Sequence, residues 1–360
     1  MTLVRATTAA APRFPTTRYQ GSKAKLADWI WRQLAPLGFD SCLDAFGGTG
    51  AVAWRLRREG KQVTYNDVLR FNHQFGRALI ENRGVRLDDE DVSFVLEARR
   101  GVRYPRFVQD HFAGIYYTDE ENAFIDRAVT NVRALGDRYK RALAFFALCQ
   151  ACLVKRPYNL FHRKNLYLRL ADVPRTFGNK VSWDRPFEAW FRHFAAEANA
   201  AVFDNGRRNR ALNLDARAVP GRYDLVYVDT PYVSGRGQAT DYFGLYHFLE
   251  GLADYDRWEE RLDRASRHRR LLPPRVGATV PGRSAFAHAR GVHQAFDELF
   301  ARWRDAVLAV SYRRDGIPSA PELAALLRRH KRRVRVLHYG RYRYALSKAR
   351  DSGELLLVAS

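Results

Sequence analysis

The feature that most constrains the fold is a glycine-rich turn between a short apolar run and a helix-forming segment. The turn spans residues 42–50, and a helix is predicted from about Ala51 to Glu59. A strand, a glycine-rich turn and a helix in this order let a ligand approach bare backbone at a helix N-terminus. The turn has neither the GxGxxG pattern of dinucleotide sites nor the Lys-Ser or Lys-Thr of P-loops. It therefore predicts an α/β fold with a pocket for a nucleoside that carries no polyphosphate.

Acidic residues follow three of the predicted strands. Asp44 ends the first strand, Asp67 follows the strand from Gln62 to Tyr65, and Asp215 ends a short strand that begins at Arg210. The carboxyl ends of parallel strands form one edge of a sheet, and open α/β folds bind their ligands there. Asp67 is therefore placed to accept hydrogen bonds from two ribose hydroxyls. The alternative is that it only caps the helix that follows.

A further apolar run, Leu225 to Val228, delivers Asp229, Thr230, Pro231 and Tyr232 to the same edge. A carboxylate and a fixed backbone carbonyl can each accept a hydrogen bond from one planar amino group, while a tyrosine ring stacks on the base that carries it. Proline at the second or third position of a type I turn would give the same four residues. The tetrapeptide alone leaves both interpretations open.

Lys23 lies in the first turn of a predicted helix in which Leu26, Ile30 and Leu34 are spaced four apart. A lysine at a helix N-terminus is unfavourable against the helix dipole. Unless it is simply exposed, we expect Lys23 to meet a carboxylate, either of a ligand or of a neighbouring side chain.

Residues 85 to 204 are predicted to be mainly helical and show no strand–loop–helix repeat. Within them, residues 155–167 hold five basic residues (His162 included), two tyrosines and two asparagines in 13 positions. Arginine and lysine hold phosphates, whereas asparagine and arginine can read base edges. The predicted DNA contacts are Arg156, Tyr158, Asn159, Arg163 and Lys164, joined by Arg236, Arg269 and Arg270 from the later basic loops.

The charge of the chain indicates a polyanionic partner. Sixty-one Lys and Arg against 39 Asp and Glu leave a formal charge of +22, and each neutralised phosphate of a nucleic acid releases counterions. An arginine-rich surface without such a partner is the alternative. No apolar run approaches the roughly 18 residues of a membrane span. Cys149 and Cys152, two of only three cysteines, are expected to be buried in a reducing cytoplasm and not to bind a metal.

In order and spacing these elements resemble the Dam-type, alpha-group DNA adenine-N6 methyltransferases. The segments that carry the resemblance are Arg18 to Lys23, Asp44 to Gly50, Asp67, residues 85–204, Asp229 to Tyr232, Ser311-Tyr312, Gly316 to Ser319, and Tyr342 to Lys348. They cover nearly the whole chain. It departs from the family at Thr230, where the family has proline, and in the basic stretch at about 257–290, which matches no family element.

The resemblance implies a Rossmann-like methyltransferase sheet that uses S-adenosylmethionine and no metal. The implied catalytic domain comprises residues 1–84 and 205–360, with a target-recognition domain at 85–204 inserted into it. The implied cofactor-binding residues are Tyr19, Lys23, Asp44, Phe46, Gly47, Gly48, Gly50, Asp67 and Asp215. Lys23 would lie near the methionine carboxylate of the cofactor, and Asp215 would take the amino group of its adenine.

The implied reaction is methylation of N6 of an adenine flipped out of double-stranded DNA. Asp229 and the carbonyl of Thr230 would hold its amino group, and Tyr232 would stack on the base. The expected partner is DNA bound by a monomer, without a membrane, and a cognate restriction endonuclease is a further expected partner. Other interpretations stay open: methylation of cytosine-N4 or of RNA adenine, a catalytically inactive DNA-binding relative, and a nucleotide-binding regulator.

Overall fold

A seven-stranded sheet forms the centre of the protein. The computed structural model describes residues 11–173, 180–235, 237, 239–273, 285–341 and 353–360. The strands of the sheet are β1 (Ser41–Asp44), β2 (Gln62–Asn66), β3 (Arg210–Leu212), β4 (Leu225–Val228), β6 (Val307–Arg313), β8 (Val334–Arg341) and β9 (Gly353–Ala359), while β5 (Val233–Ser234) and β7 (Gly316–Ile317) pair separately. In the sheet their order is β3-β2-β1-β4-β6-β9-β8.

Neighbouring strands from β3 to β6 are parallel, and β9 is antiparallel to both of its neighbours. The apolar sequence of β4 is buried along its whole length, as expected for a strand covered on both faces. Because Asp44 lies in register with Tyr227, the acid that ends β1 and the acid that follows β4 lie at the same edge of the sheet. The predicted α/β fold with a mostly parallel seven-stranded sheet is confirmed.

Helices cover the sheet and fill the insertion between β2 and β3. They are α1 (Ala27–Leu34), α2 (Ala51–Arg58), α3 (Arg70–Gly76), α4 (Asp89–Leu96), α5 (Phe107–Phe112), α6 (Asp119–Ala134), α7 (Arg138–Val154), α8 (Leu166–Leu170), α9 (Lys180–Asp184), α10 (Phe187–Ala201), α11 (Tyr242–Ala253), α12 (Val292–Arg302) and α13 (Ala320–Arg328). A π-helical turn, Arg77–Glu81, extends α3. Short 3-10 turns occur at Ala35–Leu37, Pro157–Asn159, Tyr255–Arg257, Glu259–Arg261 and Ala285–Ala287.

The insertion is built on α7, which is buried along almost its entire length from Ala142 to Val154. Its Phe146 meets Phe75 of α3 edge to face, with ring centroids 4.9 Å apart, so the helical region and the sheet share one apolar core. Cys149 and Cys152 are buried in α7 and unpaired, as predicted. The predicted division into two domains stays a prediction, because a shared core does not by itself mark a boundary.

Several predicted boundaries shift in the structure. The third strand ends at Leu212 and does not reach Asp215. Helix α1 begins at Ala27, so Lys23 precedes the helix and does not lie in its first turn. The segment from Tyr342 to Lys348, which carries part of the resemblance, lies outside the described residues. Among the helices that the structure describes, none has the length and apolarity to cross a bilayer.

Candidate active site

The glycine-rich turn between β1 and α2 is shaped by close packing and left-handed backbone. Gly48 and Gly50 have φ values of 51° and 81°, a region that side chains with a Cβ rarely adopt. A Cβ on Gly47 would lie 2.0 Å from the ring of Tyr65. The backbone N–H of Gly48 donates to Asp67 Oδ2 over 2.9 Å. The turn therefore depends on glycine at these positions and is joined directly to the acid that follows β2.

A cleft with an empty volume of about 870 Å³ opens at the carboxyl edge of the sheet. Its lining includes most of the residues that the sequence singled out: Tyr19, Lys23, Asp44, Phe46, Gly47, Gly48, Asp67, Asp229, Thr230 and Pro231. Gly50 supports the turn behind it. Further lining residues are Gly21, Ser22, Thr49, Ala51, Val52, Val68, Leu69, Tyr227, Thr240, Tyr242, Phe243 and Ala287. The structure thus brings the N-terminal segment Arg18 to Lys23, the glycine-rich turn and the segment after β4 around one cavity.

Among the acids that line the cleft, Asp44 has the most strongly raised pKa. Its side chain is 1% exposed, and its Oδ1 has no hydrogen-bond partner among the described residues. Burial raises its pKa to about 8, and the nearby charge of Asp229 contributes to the increase. A buried carboxyl group with one unpartnered oxygen, in the lining of a cleft, suits a cationic ligand.

Asp67 accepts hydrogen bonds from the protein itself, but it does not cap α3, whose N-cap is Leu69 without a side-chain hydrogen bond. Its binding of ribose hydroxyls stays a prediction. Its Oδ1 accepts the N–H of Leu69 over 2.8 Å, just before α3, while Oδ2 accepts from Gly48 and, over 3.2 Å, from Asn72 Nδ2. Burial raises the pKa of Asp67 to about 6 despite these bonds. The acid therefore fixes the local backbone and still lines the cleft.

Lys23 meets two carboxylates of the protein. Its Nζ lies 3.0 Å from Asp229 Oδ1 and 3.3 Å from Glu354 Oε1, and it donates to the hydroxyl of Tyr232 over 2.6 Å. Burial opposes the charged ammonium, yet Asp229 and Glu354 raise its pKa above the ordinary value. This arrangement does not support the predicted position of Lys23 beside a cofactor carboxylate, because neighbouring side chains already supply its counter-charges.

Asp229 lines the cleft directly after β4 and has a raised pKa. Its side chain is 16% exposed, and burial raises its pKa to about 6, with Lys23 opposing the rise and Glu354 adding to it. The carboxylate is therefore mainly ionised at neutral pH and able to accept a hydrogen bond in the cleft.

Tyr232 does not present its ring to the cleft as predicted. The residue is 7% exposed, and its ring packs edge to face on Tyr312 with centroids 5.1 Å apart. Its hydroxyl lies 2.8 Å from Asp229 Oδ1 and 3.0 Å from Glu354 Oε1. The predicted stacking on a base is not supported here, because the residue is held by its hydroxyl behind Asp229.

The structure places two other predicted residues away from the positions that their predicted roles need. Asp215 does not line the cleft, and both of its carboxylate oxygens accept from the guanidinium of Arg217 over 3.0 Å. Arg156 is 1% exposed and donates to the carbonyls of Leu160, Tyr116 and Arg163. It therefore organises the loop from inside the fold and cannot contact DNA.

The other predicted DNA contacts lie in two neighbouring regions. Tyr158 is 53% exposed and, with Asn159, has a positive φ, 63° and 57° respectively. Arg163 is exposed. Lys164 and Arg269 line a second cleft, which we call the basic cleft; its other charged or titratable residues are Asp110, His111, Arg264 and Arg267. Arg270 is exposed beside it and pairs with Asp263, whereas Arg236 lies outside the described residues.

Sequence reasoning missed two residues of the active site. Tyr242 begins α11, lines the cleft and stacks on Tyr19 with centroids 5.6 Å apart and planes 8° apart. Glu354 is fully buried in β9. Its signal was present in the sequence, because a charged residue directly before the apolar run Leu355 to Val358 needs a partner if the strand is central.

Comparisons with known proteins agree with this geometry. Residues 19–270 match the family described as D12 class N6 adenine-specific DNA methyltransferase. A type II methyltransferase of Haemophilus parahaemolyticus, M2.HphI, is 29% identical over 336 residues, which are 91% of each chain. M.NlaIII of Neisseria lactamica is 21% identical over 86% of this chain and 87% of its own. M.FokI of Planomicrobium okeanokoites is 24% identical over 87% of this chain, which spans only 47% of M.FokI.

Proposed function

The chain belongs to the D12 class of N6 adenine-specific DNA methyltransferases, and from this premise we propose which of its residues bind the methyl donor, the target base and the DNA backbone. It transfers a methyl group to N6 of adenine within a specific DNA sequence, as the description of its family states, and the relatives that it matches bear the names of type II methyltransferases. The observation that carries the assignment of roles is the single cleft that holds Asp44, Asp67, Asp229 and Thr230 together.

We propose that the methyl donor is S-adenosylmethionine, bound between the glycine turn and Asp67. The cofactor supplies an electrophilic methyl group on a positively charged sulfur. The unpartnered Oδ1 of Asp44 suits the cationic methionine end, and Asp67 offers carboxylate lone pairs to the ribose hydroxyls. Phe46 and Val68 supply apolar walls in the same cleft.

The target adenine is held by the segment that follows β4. The base must leave the DNA stack to reach the cleft, at a cost of a few kcal/mol. Asp229 and the backbone carbonyl of Thr230 accept the two hydrogens of its amino group, which directs the nitrogen lone pair toward the methyl group. The hydroxyl of Tyr232 keeps Asp229 in place. Correct alignment of nitrogen and methyl carbon supplies much of the rate acceleration.

The DNA backbone lies along the basic cleft and the exposed loop before α8. Lys164, Arg264, Arg267 and Arg269 converge there from two segments of the chain, a pattern that suits phosphate contacts. The loop is held firmly, because buried Arg156 binds its carbonyls and Phe161 donates to Leu245 of α11. Tyr158 and Asn159, exposed and half-buried on this loop, are proposed to contact the bases.

The protein is also proposed to act as a monomer on DNA and to protect sites against a cognate restriction endonuclease. The support is that M2.HphI and M.NlaIII, which this chain matches over most of their length, bear the names of type II methyltransferases. Light scattering of the protein on a DNA duplex would measure the stoichiometry, and a 2:1 complex would contradict a monomer.

Transfer of labelled methyl from S-adenosylmethionine to unmethylated bacterial genomic DNA tests the proposal. We expect label only in N6-methyladenine, and at least a 1000-fold loss in Asp229→Ala with cofactor binding retained, because an acceptor used in the transition state is removed. Tyr232→Phe keeps the ring and removes the hydroxyl. A loss of about tenfold or more there would support the role of the hydroxyl, whereas full activity would support ring stacking.

Label in N4-methylcytosine, or in RNA alone, would contradict the proposed target. Cofactor retention without any transfer would indicate an inactive DNA-binding relative.

A further inference from the structure

The buried charge cluster behind the cleft contains one carboxylate more than the reaction needs. Lys23 is 5% exposed and Glu354 is not exposed at all, and together with Asp229 they place two acids and one base in a nearly dry site. Methyl transfer to an amino group needs only one carboxylate to accept its hydrogens. A second buried acid costs several kcal/mol unless hydrogen bonds and counter-charges compensate for it.

Glu354 is held by donors that converge on one oxygen. Its Oε1 accepts from Ser311 Oγ over 2.7 Å and lies 3.0 Å from the hydroxyl of Tyr232 and 3.3 Å from Lys23 Nζ. β9 fixes its position between β6 and β8, where Glu354 pairs in register with Arg313 and Tyr339. The site is therefore a rigid acceptor beside the catalytic acid, built from an adjacent part of the sheet.

Asp229 is the acceptor for which two groups compete. Lys23 Nζ lies 3.0 Å from its Oδ1 and the hydroxyl of Tyr232 lies 2.8 Å from the same oxygen. An adenine amino group that donates to this Oδ1 would share it with both of them. The hydroxyl has one proton, so it can donate to Asp229 or to Glu354 but not to both at once.

We propose that Glu354 is a positioning residue that retains Lys23 and the Tyr232 hydroxyl when the target amino group takes Asp229. The inference rests on the proposed function of Asp229. Since Lys23 already lies 3.3 Å from Glu354, this exchange needs only a small displacement of the ammonium. Without the charge of Glu354, Lys23 stays on Asp229 and weakens it as an acceptor.

The test is the effect of Glu354→Gln with and without Lys23. Four proteins are compared: wild type, Glu354→Gln, Lys23→Met and the double variant. The readout is the single-turnover rate of methyl transfer from bound S-adenosylmethionine to genomic DNA. Glutamine keeps the volume and an acceptor for Ser311 and removes only the charge.

With Lys23 present, we expect Glu354→Gln to lower the rate about tenfold or more, with cofactor affinity changed less than twofold. In the Lys23→Met background the same change should leave the rate within twofold or increase it. No ammonium is then left to withdraw from Asp229, glutamine can still accept from the Tyr232 hydroxyl, and the charge that repels Asp229 is gone. A loss of similar size in both backgrounds would overturn the proposal. So would an unchanged rate in the Glu354→Gln single variant.

The four-protein comparison still tests the proposal if one of the variants does not fold. Thermal unfolding and cofactor binding report whether each protein is folded, and if Glu354→Gln alone is not, the two proteins that lack Lys23 still decide. A tenfold lower rate in the double variant than in Lys23→Met would contradict the proposal. If the wild type methylates no DNA at all, the proposed function is wrong. If the wild type is active and the rate losses of the two single variants simply add in the double variant, only the proposed role of Glu354 is wrong.

Discussion

At the scale of single residues, three buried acids with raised pKa values determine the charge of the cleft. Asp44, Asp67 and Asp229 all line it, and burial raises the pKa of each. Their values differ, at about 8 for Asp44 and about 6 for the other two. Above pH 7, Asp44 is therefore the acid whose charge changes most with pH.

Cofactor recognition should accordingly depend on pH through Asp44. Between pH 7 and pH 9 this carboxyl changes from mainly protonated to mainly ionised, because its pKa is about 8. The ionised form attracts the positively charged sulfur of S-adenosylmethionine, whereas S-adenosylhomocysteine has a neutral sulfur. We expect the ratio of their affinities, measured by calorimetry, to rise on the order of tenfold over this range.

Asp44→Asn is the matched control for this prediction, since asparagine has the same shape and does not titrate. Its affinity ratio should stay flat from pH 7 to pH 9. A wild-type ratio that is equally flat would show that Asp44 does not sense the sulfur.

The sequence predicted which residue types surround the cleft better than it predicted their partners. Asp44, Asp67 and Asp229 follow strands, and strand ends meet at one edge, so their convergence was predictable. That Lys23 meets a carboxylate was also predicted, but not which one. The contacts of Asp215 and Arg156 were not predicted, because each depends on how side chains and backbone pack in the folded chain. Glu354 was missed for the same reason.

At the scale of secondary-structure elements, the glycine turn determines how β1, β2 and α2 pack. Helix α2 begins directly after Gly50. The ring of Tyr65 on β2 fills the space that side chains at the turn would need. The hydroxyl of Tyr65 donates to the carbonyl of Gly48 over 2.6 Å. One aromatic residue thus replaces the missing side chains of the turn.

Gly47→Ala should therefore destabilise the protein by about 1–3 kcal/mol through overpacking against Tyr65. Urea unfolding followed by tryptophan fluorescence measures the change. Gly84→Ala is the control, because no atom lies within 4 Å of a Cβ there, and it should stay within about 0.5 kcal/mol of wild type. Equal stability of both variants would mean that Tyr65 moves aside without cost.

Element types were largely predictable and their ends were not. The region from 85 to 204 is mainly helical as predicted, and its two longest helices are α6 and α7. The predicted helix after Asp67 instead divides into α3 and a π-helical turn. Local sequence signals specify where a helix can begin, while tertiary packing decides how its last turn closes.

At the scale of the whole molecule, four basic residues line the cleft where DNA is proposed to bind. We expect Lys164→Gln combined with Arg267→Gln to weaken binding to every DNA sequence, because both side chains line the basic cleft. The plot of log affinity against log salt should become shallower by roughly 0.9 for each phosphate that the variant no longer neutralises. Fluorescence anisotropy with a labelled duplex at several salt concentrations measures this slope.

Arg332→Gln combined with Arg335→Gln removes the same charge elsewhere. Both residues are exposed and lie at the opposite, amino edge of the sheet, where Val334 pairs with Ala359. The slope of this control should match wild type. Equal changes in the two double variants would indicate a general effect of net charge and not a binding surface.

The position of β9 has a consequence for how the protein matures. This strand lies between β6 and β8 and brings Glu354 against Lys23, so the two residues of one buried ion pair are separated by most of the described chain. A ribosome must therefore release residues 353–360 before the environment of Asp229 is complete. If Glu354 acts as proposed, a chain that still lacks β9 transfers methyl groups more slowly than the finished protein.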